Sequence, residues 1–319
     1  MPETLSRRQV LAGSTAALGL AGCSSAPKHG DEPRVSILRS KYDQGLFGLL
    51  RALVEEHKLD VRGKRVLLKP NLVEFDPEAP VNTNPLFVCA ALEAFRALGA
   101  SEVRVAEGPG HRRSTLDLAD AAGYFRTVPD FERIFIDLNL DDVAQVSIPR
   151  ATRGLGSLYL PKAALACDLL VSLPKMKTHH WVGATLGMKN LFGLVPGAVY
   201  GWPKNVLHWA GIPESIVALN SAFPRMFTLV DGIEGMEGNG PIQGRRKFAG
   251  VVVGGGDRVA VDATCCRIMG IDPRKIGYLK MAETVGQTLE ANVRQIAEPI
   301  GGVRTPFDLL PEFQSIRLA

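Results

Sequence analysis

Short apolar runs recur along this chain, most of them followed by a stretch with helical spacing, and that rhythm limits the architectures open to it. The runs are Val35–Leu38, Arg65–Lys69, Val103–Ala106, Arg133–Asp137, Leu169–Leu173, Phe227–Asp231, Val251–Gly254 and Arg258–Val261. Amphipathic segments lie between them, at Gly45–Glu56, Pro85–Leu98, Thr115–Ala122, Glu214–Ala222 and Ala263–Met269. A strand with one wet face alternates apolar and polar residues, whereas these runs are almost continuously apolar. Both faces must therefore be covered, which is the signature of a parallel sheet sandwiched by helices. The expected fold is α/β: a mostly parallel sheet with helices on both faces. Whether it divides into two α/β subdomains, with a boundary near residues 150–165, stays open.

The 319 residues suffice for one large domain or two modest ones, and a formal charge of +4 gives no reason to expect nucleic acid. Cys89, Cys167, Cys265 and Cys266 show no Cys-x-x-Cys spacing, so no iron–sulfur cluster is expected and all four read as small buried hydrophobes.

The first residues read as an address. Arg7 and Arg8 follow Ser6 and precede Gln9-Val10-Leu11, in the manner of a twin-arginine signal. The weakly apolar stretch Val10–Ala21 would span only about 18 Å as a helix, against about 30 Å of hydrocarbon. Leu20-Ala21-Gly22-Cys23 resembles a bacterial lipobox, which makes Cys23 the lipidated residue after removal of residues 1–22. Residues 23–33 then form a lipidated tether and residues 34–319 the α/β domain. The expected partners are the twin-arginine translocase, the lipoprotein-processing enzymes and, through the lipid, the membrane. The expected location is extracytoplasmic, facing the periplasm. Twin-arginine export carries folded proteins, often with a cofactor already aboard.

Open α/β sheets bind ligands beyond the carboxyl ends of their strands, and here those ends carry the chemistry. Lys69-Pro70-Asn71, Glu107-Gly108-Pro109-Gly110-His111, Lys175-Met176-Lys177-Thr178-His179-His180 and Asp231-Gly232-Ile233-Glu234 each follow an apolar run. In a parallel sheet they converge on one edge. Lys69, Asn71, Lys175, Lys177 and His180 are candidate ligand-binding residues for a small anion, and Glu107, Asp231, Glu234 and His208 candidate ligands for a divalent metal. The same segments would serve as strand stops and turns in a protein with no site at all. Gly254-Gly255-Gly256-Asp257 reads as a tight turn rather than a dinucleotide site, and Asp262 as the N-cap of a helix beginning at Ala263.

The segments Leu68-Lys69-Pro70-Asn71-Leu72-Val73, Ser172 to His179, Gly187-Met188-Lys189-Asn190, Asp231 to Gly235 and Val261-Asp262-Ala263 together resemble the family called domain of unknown function 362. The resemblance runs from about Val35 to Pro273 and implies no particular chemistry. Over a shorter span, His179-His180-Trp181-Val182-Gly183-Ala184-Thr185-Leu186-Gly187-Met188-Lys189 is similar to the core motif of the nickel-pincer lactate racemase family. That likeness implies His179 and His111 as a catalytic acid–base pair, Lys189 as the residue carrying a pincer nucleotide, and His208 as the nickel-ligating histidine. Leu186 and Met188 depart from the small residues found there. Two functions follow as expectations: an enzyme performing racemase-like acid–base chemistry on a small anionic substrate, or a non-catalytic cell-envelope lipoprotein that binds a metal or an anion.

Overall fold

A computed structural model describes residues 32–152 and 154–319. The readings placed on Arg7, Arg8 and Cys23, and most of the tether, lie outside the described residues.

The described residues form twelve strands: β1 (Arg34–Arg39), β2 (Arg65–Pro70), β3 (Glu102–Glu107), β4 (Phe135–Asp137), β5 (Val143–Thr152), β6 (Leu155–Pro161), β7 (Leu169–Leu173), β8 (Lys175–His179), β9 (Gly183–Thr185), β10 (Met226–Glu237), β11 (Arg245–Gly255) and β12 (Arg294–Ala297). Ten of them form one sheet in the order β12-β1-β11-β10-β7-β2-β3-β4, with β8 pairing to β10 and to β9. From β10 through β7, β2 and β3 to β4 every pairing is parallel. Only β11 and β9 run against the rest. β5 and β6 make a separate antiparallel ribbon, which occupies the segment around residues 150–165.

The apolar runs pack on both faces, as their composition demands. In β2, Val66 and Leu68 join the core beneath the helices Leu46–Glu56 and Pro85–Ala97, while Leu67 between them joins the core on the other face. In β11, Val252 and its neighbours Val251 and Val253 divide in the same way. Each leucine or valine so buried contributes roughly 1.5–3 kcal/mol. Asn84 starts the helix Pro85–Ala97 by accepting from the Leu86 N–H, with Pro85 in the first turn, where a missing N–H does no harm.

Three local expectations are corrected. Arg258–Val261 is not a strand but the first turn of the helix Arg258–Ile268, because the Asp257 carboxylate accepts from the Val259 and Ala260 N–H groups and caps it there. Asp262 therefore lies within that helix and is not its cap. Arg133–Asp137 is strand only from Phe135, after a helical turn at Phe131–Ile134. Beyond Asp231 the chain stays in β10 as far as Glu237, so Glu234 sits in a strand rather than in a loop.

Candidate functional site

Five lysines gather near one edge of the sheet: Lys69 ends β2, Lys175 and Lys177 lie in β8, Lys189 follows β9 in the turn Gly187–Asn190, and Lys204 precedes the helix Asn205–Trp209. Two are neutralised. Lys69, at the end of β2, donates to both oxygens of Glu107, at the end of β3, at 2.7 and 2.8 Å, and both side chains are buried. Glu107 also accepts from the Leu72 and Gly108 N–H groups, so its lone pairs are occupied. Lys175, after the Pro174 break between β7 and β8, donates to Asp231 at 2.9 Å and to the Tyr42 hydroxyl at 2.8 Å. Asp231 additionally accepts from Tyr42 and from the Asn84 N–H. The result pushes the Tyr42 hydroxyl far above its ordinary range, through burial and the Asp231 charge.

The other three have no carboxylate. Lys177 donates to Asn71 Oδ1 and to the Val81 and Pro241 carbonyls, tying the loop after β2 to the turn after β10. Lys204 donates to the Gly108 carbonyl at 2.6 Å and reaches that of Gly193. Burial brings each down to about 7, with Lys175 and Lys189 adding to the effect at Lys177. Lys189 has neither a hydrogen bond nor an ion pair among the described residues. Its ammonium lies 4.2 Å from the centre of the Phe192 ring, and burial lowers it to about 8.

Lys189 belongs to a group of rings. His179 and His180 are 5.0 Å apart, His180 and Trp181 4.6 Å, Trp181 and His208 5.5 Å, and His208 and Phe192 6.4 Å, all between centroids. His179 Nδ1 accepts from the Trp181 N–H, which leaves the proton of the neutral ring on Nε2. Burial, then the charge of Lys189, holds His179 far below its usual range and so uncharged. His180 Nδ1 lies 2.8 Å from the Gly240 carbonyl, which fixes it as a donor. His208 Nδ1 is buried without a hydrogen-bond partner. An open cavity of about 620 Å³ adjoins the group, lined by His180, Trp181, Asn239, Gln243, Leu310 and Glu312.

The candidate residues therefore separate. His179, His180, Lys189 and His208 come together. His111 lies on the exposed loop after β3, 3.7 Å from Glu74. The four expected metal ligands do not meet: Glu107 and Asp231 are spent on lysines, Glu234 faces Arg246 at 3.6 Å, and His208 lies among aromatic rings. Among the described residues no three His, Cys, Asp or Glu side chains could hold a metal. Asn71 Oδ1 accepts from Lys177. The sequence reading missed Tyr42, Asn190 and Lys204. Asn190, inside the quoted Gly187-Met188-Lys189-Asn190 segment, donates to the Lys69 carbonyl and to Ser172; Lys204 carried no local signal.

Residues 66–267 match the family model of a domain of unknown function, DUF362. The chain belongs to this family. A thylakoid-associated protein of Synechocystis sp. is 30% identical over 264 residues, covering 79% of each chain. Among solved structures, the lactate racemase apoprotein from Thermoanaerobacterium thermosaccharolyticum aligns with a TM-score of 0.46 at 15% identity, over 75% of this chain and 57% of that one. This DUF362 chain thus has a mixed α/β fold with a large, mostly parallel sheet flanked by helices.

Proposed function

We propose that this DUF362 protein is an exported, lipid-anchored protein that binds a small anion between Lys189 and His179. One observation carries the site: Lys189 alone among the five edge lysines has no oxygen partner, so its charge is held in a half-buried place that an anion would complete. The neutral His179 ring, with its proton on Nε2, adds a hydrogen-bond donor. A carboxylate or phosphate oxygen bridging the two would regain for Lys189 the stabilisation that burial removes.

Isothermal titration with lactate, using chloride as control, tests the site. Binding by wild-type protein and its loss in Lys189→Met support the reading, and equal binding by the two overturns it. The anchor rests on Arg7-Arg8 and Leu20-Ala21-Gly22-Cys23. Metabolic labelling with a fatty acid should mark the wild type and not Cys23→Ser; label retained in the variant would refute it.

A second reading rests on His208, whose buried Nδ1 has no hydrogen-bond partner among the described residues and, in the tautomer protonated at Nε2, can accept a proton within the same ring group. With it the site would run racemase-like acid–base chemistry on a 2-hydroxy acid, His208 accepting a proton and Lys189 holding the carboxylate. A pincer nucleotide, were one attached, would supply a hydride acceptor. Attachment at the unpartnered, burial-shifted Lys189 amine would spend its charge, so holding the carboxylate would then fall to the Nε2–H of His179. Intact mass of protein from its native host tests this: an unmodified Lys189 with no racemisation of lactate leaves binding alone.

A further inference from the structure

Lys189 rides on a single helical turn, Gly187–Asn190, whose first N–H groups would be orphaned at any ordinary helix start. The turn carries no cap of its own. Its N–H groups are instead taken by a residue 75 positions away: Gly187 N donates to Asp262 Oδ1 at 2.8 Å, and Met188 N to Asp262 Oδ2 at 3.1 Å. Asp262 lies fully buried in the middle of the helix Arg258–Ile268 and accepts a third bond, from the Tyr278 hydroxyl at 3.2 Å. The opposite end of the turn is pinned by Asn190, which donates to the Lys69 carbonyl.

We infer that Asp262 is the positioning residue for Lys189, fixing the backbone of its turn so that the ammonium stays over Phe192 and beside the histidines. Three donors converge on this side chain, and only an ionised carboxylate offers acceptors to all of them; an amide would set an NH₂ group against one N–H. A mere core-filling role would not call for a charge in a place so dry that burial pushes the carboxyl up to about 7. Gly187 fits the same arrangement. A Cβ there would stand 2.7 Å from Thr228 Cγ2 and 3.0 Å from Asp262 Oδ1, so only glycine lets the turn press against its anchor.

This inference rests on Lys189 being the ligand-facing amine, but its test reads the amine directly. The pH profile of Lys189 acylation is measured in the full chain, peptide by peptide by mass spectrometry, with exposed Lys58 as internal control. The wild-type midpoint should lie near 8. Asp262→Asn should raise it by about one unit, a roughly tenfold loss of free amine at fixed pH, as the released turn lets the ammonium reach water. Tyr278→Phe keeps both backbone bonds and should retain the wild-type profile. A wild-type profile in folded Asp262→Asn overturns the inference, because a purely structural residue would lower stability without moving Lys189. Should that variant fail to fold, Gly187→Ala pushes on the same oxygen from the other side, and an unmoved midpoint there is equally fatal. Failure of lactate to bind wild-type protein would count against the anion site alone, which keeps the two outcomes distinct.

Discussion

Two halves of the same sheet edge handle buried charge in opposite ways. At the ends of β2 and β3, and where the start of β8 meets the middle of β10, lysines and carboxylates cancel in pairs, and backbone N–H groups also donate to Glu107 and Asp231. Around the turn after β9, Lys189 faces rings and no carboxylate. The first half resembles ordinary structural ion pairing, in which removing one partner leaves an uncompensated charge. The second holds a charge that meets no carboxylate among the described residues, and that difference sets the proposed site apart from the scaffold.

The comparison breaks most visibly under substitution. Lys69→Met should cost about 3–5 kcal/mol, read by urea unfolding, because Glu107 is left charged and buried. A loss below about 1 kcal/mol would mean the pair is not structural. Lactate at about 100 times its Kd should add about 2.7 kcal/mol to wild-type stability and nothing to Lys189→Met. Without ligand, Lys189→Met should change stability by less than about 1 kcal/mol, since it removes a buried charge and no hydrogen bond. Affinity for lactate should hold below pH 8 and fall above it: Lys189, lowered to about 8, loses its proton there and with it the attraction for the anion. Affinity that rises with pH would point to a different group. The smallest effect belongs to His111→Ala, expected within about 0.5 kcal/mol and without consequence for binding, because its contact with Glu74 is exposed.

Much of the fold was legible because the apolar runs are long enough to fix β2, β3, β7 and β10 and their common direction. The ring group was legible too: His179, His180 and Lys189 lie within eleven residues, and local sequence alone brings them near one another. What the sequence hid was who neutralises whom. Glu107 and Asp231 looked free for a metal because their partners Lys69 and Lys175 approach only through sheet register, between residues 38 and 56 positions apart. Asp262 was misread for a related reason. Asp257 and Asp262 both precede short helical patterns, and only the fold shows which one meets the helix start.

Lys204 joins the segment bearing His208 to the end of β3 through the Gly108 carbonyl, with Gly193 close behind. Opening that segment by itself would mean breaking the buried Lys204 amine away from the carbonyls it donates to. Local fluctuations of that segment are therefore coupled to the centre of the sheet. Amide hydrogens at Leu207 and Gly193 should exchange together, on the timescale of the sheet and not of a surface loop. The proposed site is thereby held assembled by the same contacts that hold the sheet.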